Sequence, residues 1–216
     1  MSLKSSSMFK LVLIAAAAAW LSACSSAAST ATLPTSAPPT SQLTTQAAEA
    51  PFTCRAGVIE QSFENGFMFW VGHTTQERCT DQHAFTASSG EIWVAILDKS
   101  GKTGQWLIFV DDWQEGVDPV TDLSLTPPGE GLSQPVRGFG KVWRTKLDDQ
   151  QRKNLGWATG DELPFTTDYT YQSASFKNAQ GEVVPRPGKH TLRGLAGDLF
   201  EFDENTRMVT HSNKKS

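Results

Sequence analysis

Hydrophobic and polar positions divide the chain into three stretches. Residues Leu11–Ala19 are uninterruptedly apolar, residues 25–50 carry almost no large apolar side chain, and from Pro51 to His211 apolar residues return in short runs with a period near two. That last period is the signature of strands rather than helices. In "GVIEQSFENGFMFWVG" (57–72), Asn65-Gly66 separates two aromatic-rich runs and predicts a hairpin, with Asn65 and Gly66 at the centre of a type I′ turn. A second hairpin is predicted from "EIWVAIL" and "QWLIFV" around "DKSGKTG" (91–110); both faces of its first strand are apolar, so it should be covered on both sides. Residues 72–90 read as a long loop, and 117–140, rich in proline and glycine, as irregular chain. "KLDDQQRKNLG" (146–156) predicts one helix, with Asp148 and Asp149 at its positive end, Arg152 and Lys153 at its negative end, and Gly156 as C-cap. Strands are expected again in "DYTYQSASF" (168–176), and in a hairpin formed by "GDLFEF", "DENT" and "RMVTHS" (197–212). The fold class is therefore mainly β: a small antiparallel, hairpin-based domain, sandwich or open barrel-like, with one short helix.

Composition changes the picture at the N-terminus. Lys4 and Lys10 precede the nine-residue apolar run, which is far short of the ~20 residues of a membrane span but within the ~7–15 of a secretory signal. Residues 1–23 are read as that signal. Its end, Leu21-Ser22-Ala23-Cys24, resembles the lipobox of bacterial lipoproteins. The resemblance implies cleavage before Cys24, diacylation of its thiol, and localisation on the extracytoplasmic face of the cell membrane, held there by lipid. An ordinary signal cleaved near Ala28 is the alternative. One acyl chain binds membranes marginally and two anchor them, so the membrane is the first expected partner.

Between the anchor and the domain, Ser, Thr, Ala and Pro make up 21 of residues 25–50, with Glu49 the single charge. Such a stretch buries too little apolar surface to offset its ordering entropy, and 24–50 is read as a lipidated cysteine and a disordered stalk. The domain, 51–211, has six of the seven tryptophans, and residues 212–216 are a frayed tail. Without Lys4 and Lys10 the net charge moves from −4 to −6, which argues against nucleic acid as a partner. Export also bears on the cysteines: outside the cytoplasm disulfides persist, and with Cys24 lipidated, Cys54 and Cys79 are expected to pair. A metal site of His73, Cys79 and His83 is the sharper alternative, but the ligand set is incomplete. No cofactor or metal site is read.

Five segments form a larger pattern: "FENGFMFW" (63–70), "EIWVAIL…GQW" (91–106), "DDWQEG" (111–116), "QPVRGFGKVWR" (134–144) and "LGWATGDE" (155–162). Together they resemble a recurring β-domain of exported bacterial proteins with F-E-x-G-x-M-x-W and LGWA motifs. The "LGWATGDE" element leading into "YQSASFKNAQG" (171–181) is also similar to LGFP-type repeats of bacterial cell-wall proteins. The resemblance spans about residues 56–181, departs from the LGFP pattern at the position after "LGWA", and implies no catalytic residues.

Local chemistry points away from several enzyme classes. "SGKTG" (100–104) lacks the Gly that a phosphate loop needs, Ile96 standing in its place. No G-x-S-x-G occurs. Asp111 and Asp112 are sequence neighbours, an arrangement that rarely spans a cleft as paired carboxylates must, and they read as a strand end. Six tryptophans are more than a small core readily hides, because each buried indole N–H needs a partner. Trp113, Trp143 and Trp157 fall in loop-like segments beside Arg137 and Arg144, which suggests a single aromatic face for sugar rings, although the arginines could equally pair structurally with carboxylates. The expected function is a non-enzymatic, lipid-anchored module binding cell-wall glycan or another envelope component. A structural or accessory subunit of an envelope complex is the alternative, and a wall-polymer hydrolase the third reading.

Overall fold

The computed structural model describes residues 50–72, 90–178 and 180–213. Cys24, the signal, the stalk, Cys79 and nearly all of the 72–90 loop, with His73 and His83, lie outside the described residues. Among the described residues no helix is long and apolar enough to cross a membrane.

Eight strands close into an antiparallel barrel in the order β1 (Phe52–Phe63), β2 (Gly66–Val71), β3 (Glu91–Leu97), β4 (Thr103–Val110), β10 (Met208–Ser212), β9 (Leu199–Asp203), β8 (Lys189–Arg193) and β5 (Leu163–Gln172). Closure comes from β1, twelve residues long, which pairs with β5 over residues 52–60 and with β2 over residues 58–63. A minor hairpin, β6 (Phe176–Lys177) and β7 (Val183–Val184), stands apart from the barrel sheet. The mainly β, antiparallel, hairpin-based architecture read from the sequence is what forms. The sequence reading passed over β8, a five-residue strand of mixed polarity, and began β5 five residues late.

Alternation of the pleat separates two apolar sets. Inward positions give one core: Ala56, Val58, Phe69, Val71, Trp93, Ala95, Trp106, Tyr169, Leu192, Phe200, Phe202 and Val209. An eight-stranded barrel is just wide enough for side chains to fill, and here aromatic rings fill it. Trp93 meets Trp106 at 5.2 Å and Phe202 at 5.0 Å between centroids, both edge-on. Trp93 donates its indole N–H to Glu91 at 2.9 Å. Outward positions of β1–β3, among them Met68, Ile92, Val94 and Ile96, join Phe139, Val142, Trp143, Leu147 and Leu155 in a second core on the outer wall. The strand apolar on both faces is thus covered on both faces, as its pattern predicted.

That outer core explains two helices where one was expected. α2 (Asp149–Leu155) has the anticipated ends, with Asp148 and Gln151 in a reciprocal capping box and Gly156 at φ 83°. α1 (Arg137–Lys141) and the π-helical turn Val142–Lys146 that follows were read as the end of irregular chain and the approach to α2. Two glycines make "RGFGK" a poor helix by propensity; it forms because Phe139, Val142 and Trp143 are buried against the barrel wall.

The first hairpin also differs from its prediction. Phe63 pairs with Gly66, so the two turn residues are Glu64 and Asn65, and Gly66 opens β2. Neither Glu64 nor Asn65 has a positive φ, so the turn is not type I′. Gly66 is required for a different reason: a Cβ there would lie 1.9 Å from the Ala95 carbonyl oxygen. The turn is held from outside, by N–H bonds from Glu64 to Trp157 O and from Asn65 to Leu155 O, both 3.0 Å.

Candidate functional site

All five segments that form the sequence pattern send residues to one cleft on the outer wall of the barrel, "EIWVAIL…GQW" through Ile92. "FENGFMFW" ends in Trp70, on the outward face of β2. "DDWQEG" supplies Asp111 and Trp113, just past β4. "QPVRGFGKVWR" supplies Arg137, Gly138 and Phe139 at the start of α1, and "LGWATGDE" ends in Glu162, just before β5. With Ile59 and Ile92 these line a cavity of about 320 Å³, at the small end of the ~300–1,000 Å³ usual for ligand pockets. Mostly apolar and aromatic walls with a few convergent polar groups are the normal composition of a binding site.

Two carboxyls meet there from positions 51 residues apart in the sequence. Asp111 is pushed above the usual carboxylate range by desolvation, against N–H groups of the Trp113 backbone (3.3 Å) and the Trp70 indole that favour its charge. Desolvation also raises Glu162, with Arg137 opposing and Asp111 adding repulsion. Glu162 accepts from the Arg137 guanidinium at 3.3 Å through one oxygen. Its other oxygen, like the Trp113 indole N–H, is buried without a hydrogen-bond partner among the described residues. Native proteins pair such groups almost always; here the two atoms belong to residues that line one cleft.

The backbone gives up stability to build this corner. Arg137 sits at φ 47°, one of two non-glycine residues with positive φ among those described; such a conformation costs an ordinary side chain ~1–2 kcal/mol, and strain of this kind clusters at functional sites. Gly138 follows because a Cβ there would stand 2.6 Å from an Asp111 carboxylate oxygen. Asp112, by contrast, points out to Lys141 and Lys146, both at 3.1 Å. Those bonds hold its carboxyl below the usual range.

The residues expected to share one face do not share it. Trp113 and Arg137 are in the cleft just described. Trp143 is 3% exposed and donates its indole N–H to Gly156 O at 2.9 Å, so it belongs to the outer core. Arg144 donates to the carbonyls of Pro119, Val120 and Pro135; it pins the 117–136 chain and serves structure. Trp157 packs on Trp143 at 5.0 Å, and both indoles line a separate depression of about 530 Å³ with Arg144, Arg152, Glu64 and Leu125. Cys54 lies on β1 opposite Tyr169, packed against the inner core. Its expected partner, Cys79, is outside the described residues.

Trp70 and Glu162 are the site residues that sequence reasoning passed over. Trp70 was assigned to a strand within the core, and Glu162 to a motif end. The available signal was convergence: chemistry-bearing residues at the edges of several separate motifs. As arranged, the cleft can stack a flat apolar face on indole, accept a hydrogen bond at Glu162 and donate one from Trp113. Comparisons of the chain with protein families, curated proteins and solved structures give no match.

Proposed function

We propose that the protein is a lipid-anchored, extracytoplasmic envelope module that binds cell-wall glycan in the cleft of Trp70, Asp111, Trp113, Arg137 and Glu162. The observation that carries this is that a donor and an acceptor without partners among the described residues, Trp113 Nε1 and Glu162 Oε1, belong to residues lining one indole-walled cleft. A sugar hydroxyl is donor and acceptor at once, and the C–H face of a sugar ring stacks on indole. The lipobox-like Cys24 would tether the domain to the membrane, the 25–50 stalk would extend it outward, and Cys54 would pair with Cys79. Titrating the full-length protein in detergent with soluble glycan oligomers from digested sacculi should quench or shift its tryptophan emission saturably. Trp113→Ala should weaken that binding by tenfold or more, in keeping with ~1–3 kcal/mol for a stacked aromatic. Unchanged emission at every oligomer concentration would count against the glycan.

A second reading, docking of an envelope protein, is favoured by one observation. Val117, Val120, Leu123 and Leu125 are exposed, Leu123 at 97%, on chain held in place by Gln134 and Arg144. Ordered apolar side chains grouped in solvent mark protein contact surfaces. Pull-down of one envelope protein by the wild type but not by Leu123→Ser/Leu125→Ser would favour it.

A further inference from the structure

Asp111 and Glu162 are more than hydrogen-bonding groups for a ligand. Each lines the same cleft from a different wall, Asp111 from the end of β4 and Glu162 from the chain entering β5. The charge of Asp111 raises Glu162, and their surroundings differ. Desolvation raises Asp111, with N–H groups from Trp113 and Trp70 opposing. Glu162 has one oxygen on Arg137 and one with no partner among the described residues, and its desolvation favours the acid. Desolvation raises both carboxyls, and the charge of Asp111 raises Glu162 further, so the cleft favours keeping a proton on Glu162. A proton donor and a proton acceptor in one cleft are the ingredients of acid–base chemistry. The strained Arg137 and the glycine beside Asp111 hold both in place.

We propose that Asp111 and Glu162 are a catalytic pair that hydrolyses a glycosidic bond of the saccharide held in this cleft; the proposal rests on the glycan reading above. Glu162 gives its proton to the glycosidic oxygen as the bond from that oxygen to the anomeric carbon breaks. Asp111 takes a proton from a water whose oxygen bonds to the same carbon. One water is consumed and two sugar ends are released, one of them reducing. The proton on Asp111 returns to Glu162 through solvent, which restores both groups.

The test uses full-length protein in detergent with purified sacculi, and reads two quantities: protein sedimenting with the sacculi, and new reducing ends in the supernatant. The wild type is expected to do both. Per molecule sedimented, Asp111→Asn and Glu162→Gln should release reducing ends at least roughly a hundredfold more slowly, the usual scale for loss of a general acid or base. Asp112→Asn, on the exposed neighbour bonded to Lys141 and Lys146, should match the wild type. Binding by the wild type without new reducing ends overturns the catalytic proposal and leaves the glycan reading standing. Release that persists at the wild-type rate in both variants overturns the assignment of the pair. Failure of folded wild type to sediment removes the glycan reading and this proposal with it.

Discussion

At the scale of single residues, the cleft is where local preference yields to geometry. Arg137 holds a left-handed backbone that glycine would take freely, and its side chain is 60% exposed while bonded to Glu162. An ion pair that exposed is worth at most ~1 kcal/mol, about what the strain removes. Arg137→Gly should therefore leave stability unchanged or raise it by up to ~1 kcal/mol, while glycan affinity falls; denaturant melts beside fluorescence titration check both halves. Destabilisation beyond ~2 kcal/mol would show that Arg137 serves the fold. Asp111 and Asp112 make the same point about legibility. As neighbours they looked equivalent, yet one faces desolvated indoles and the other two lysines. Sequence spacing states how far apart two carboxyls are along the chain and nothing of which wall each faces.

At the scale of elements, strands were legible and their ends were not. β3 announced itself by apolar residues on both faces, because it separates two cores. β8 did not, since only His190 and Leu192 among its five residues are buried. His190 is the more informative of the two. Its Nδ1 accepts from the Tyr169 hydroxyl at 2.6 Å and its Nε2–H donates to Glu204 at 3.1 Å. Burial keeps the Tyr169 hydroxyl protonated, and hence a donor. Burial likewise lowers the His190 value, with Glu204 opposing. Burial would also raise Glu204, but the Gly188 N–H, His190 and Tyr171 outweigh it and leave it below the usual range. The ring is thus neutral and satisfied at both nitrogens. Between its depressed native value and the ordinary ~6.5 the unfolded chain binds the extra proton, so the contribution of His190 to stability is present above ~6.5 and lost on acidification. An NMR titration should show the His190 ring titrating below 6.5; titration above 6.5 would contradict the neutral bridge. α1 is the opposite case from β3. Its glycines hid a helix that only the outer core makes stable, so the segment carrying Arg137, Gly138 and Phe139 read as loop.

At the scale of the whole molecule, the barrel closes around a packed interior and carries the cleft on its outer wall. Aromatic rings fill the interior, and the described cleft lies instead where α1 and the 111–118 chain cross β1–β3. The mainly β class was legible because period-two patterning survives in a closed sheet. Which faces close on which was not, because pairing of β1 with β5 and of β4 with β10 joins segments about 100 residues apart. For the same reason three loop tryptophans looked like one face and are divided between two depressions. The proposed lipid anchor at Cys24 is a separate matter with its own test. Metabolic labelling with an alkyne palmitate should tag the protein in its native host, and Cys24→Ser should abolish the tag; label retained in Cys24→Ser would sink the lipid anchor.

The most direct measurement of the central claim is co-sedimentation of the full-length protein with purified sacculi, comparing Trp113→Ala with Trp157→Ala, both checked for a native circular dichroism spectrum. If the Trp113 cleft is the binding site, Trp113→Ala loses saturable sedimentation and Trp157→Ala keeps it. Loss in Trp157→Ala with retention in Trp113→Ala, or no sedimentation by the folded wild type, would contradict the account.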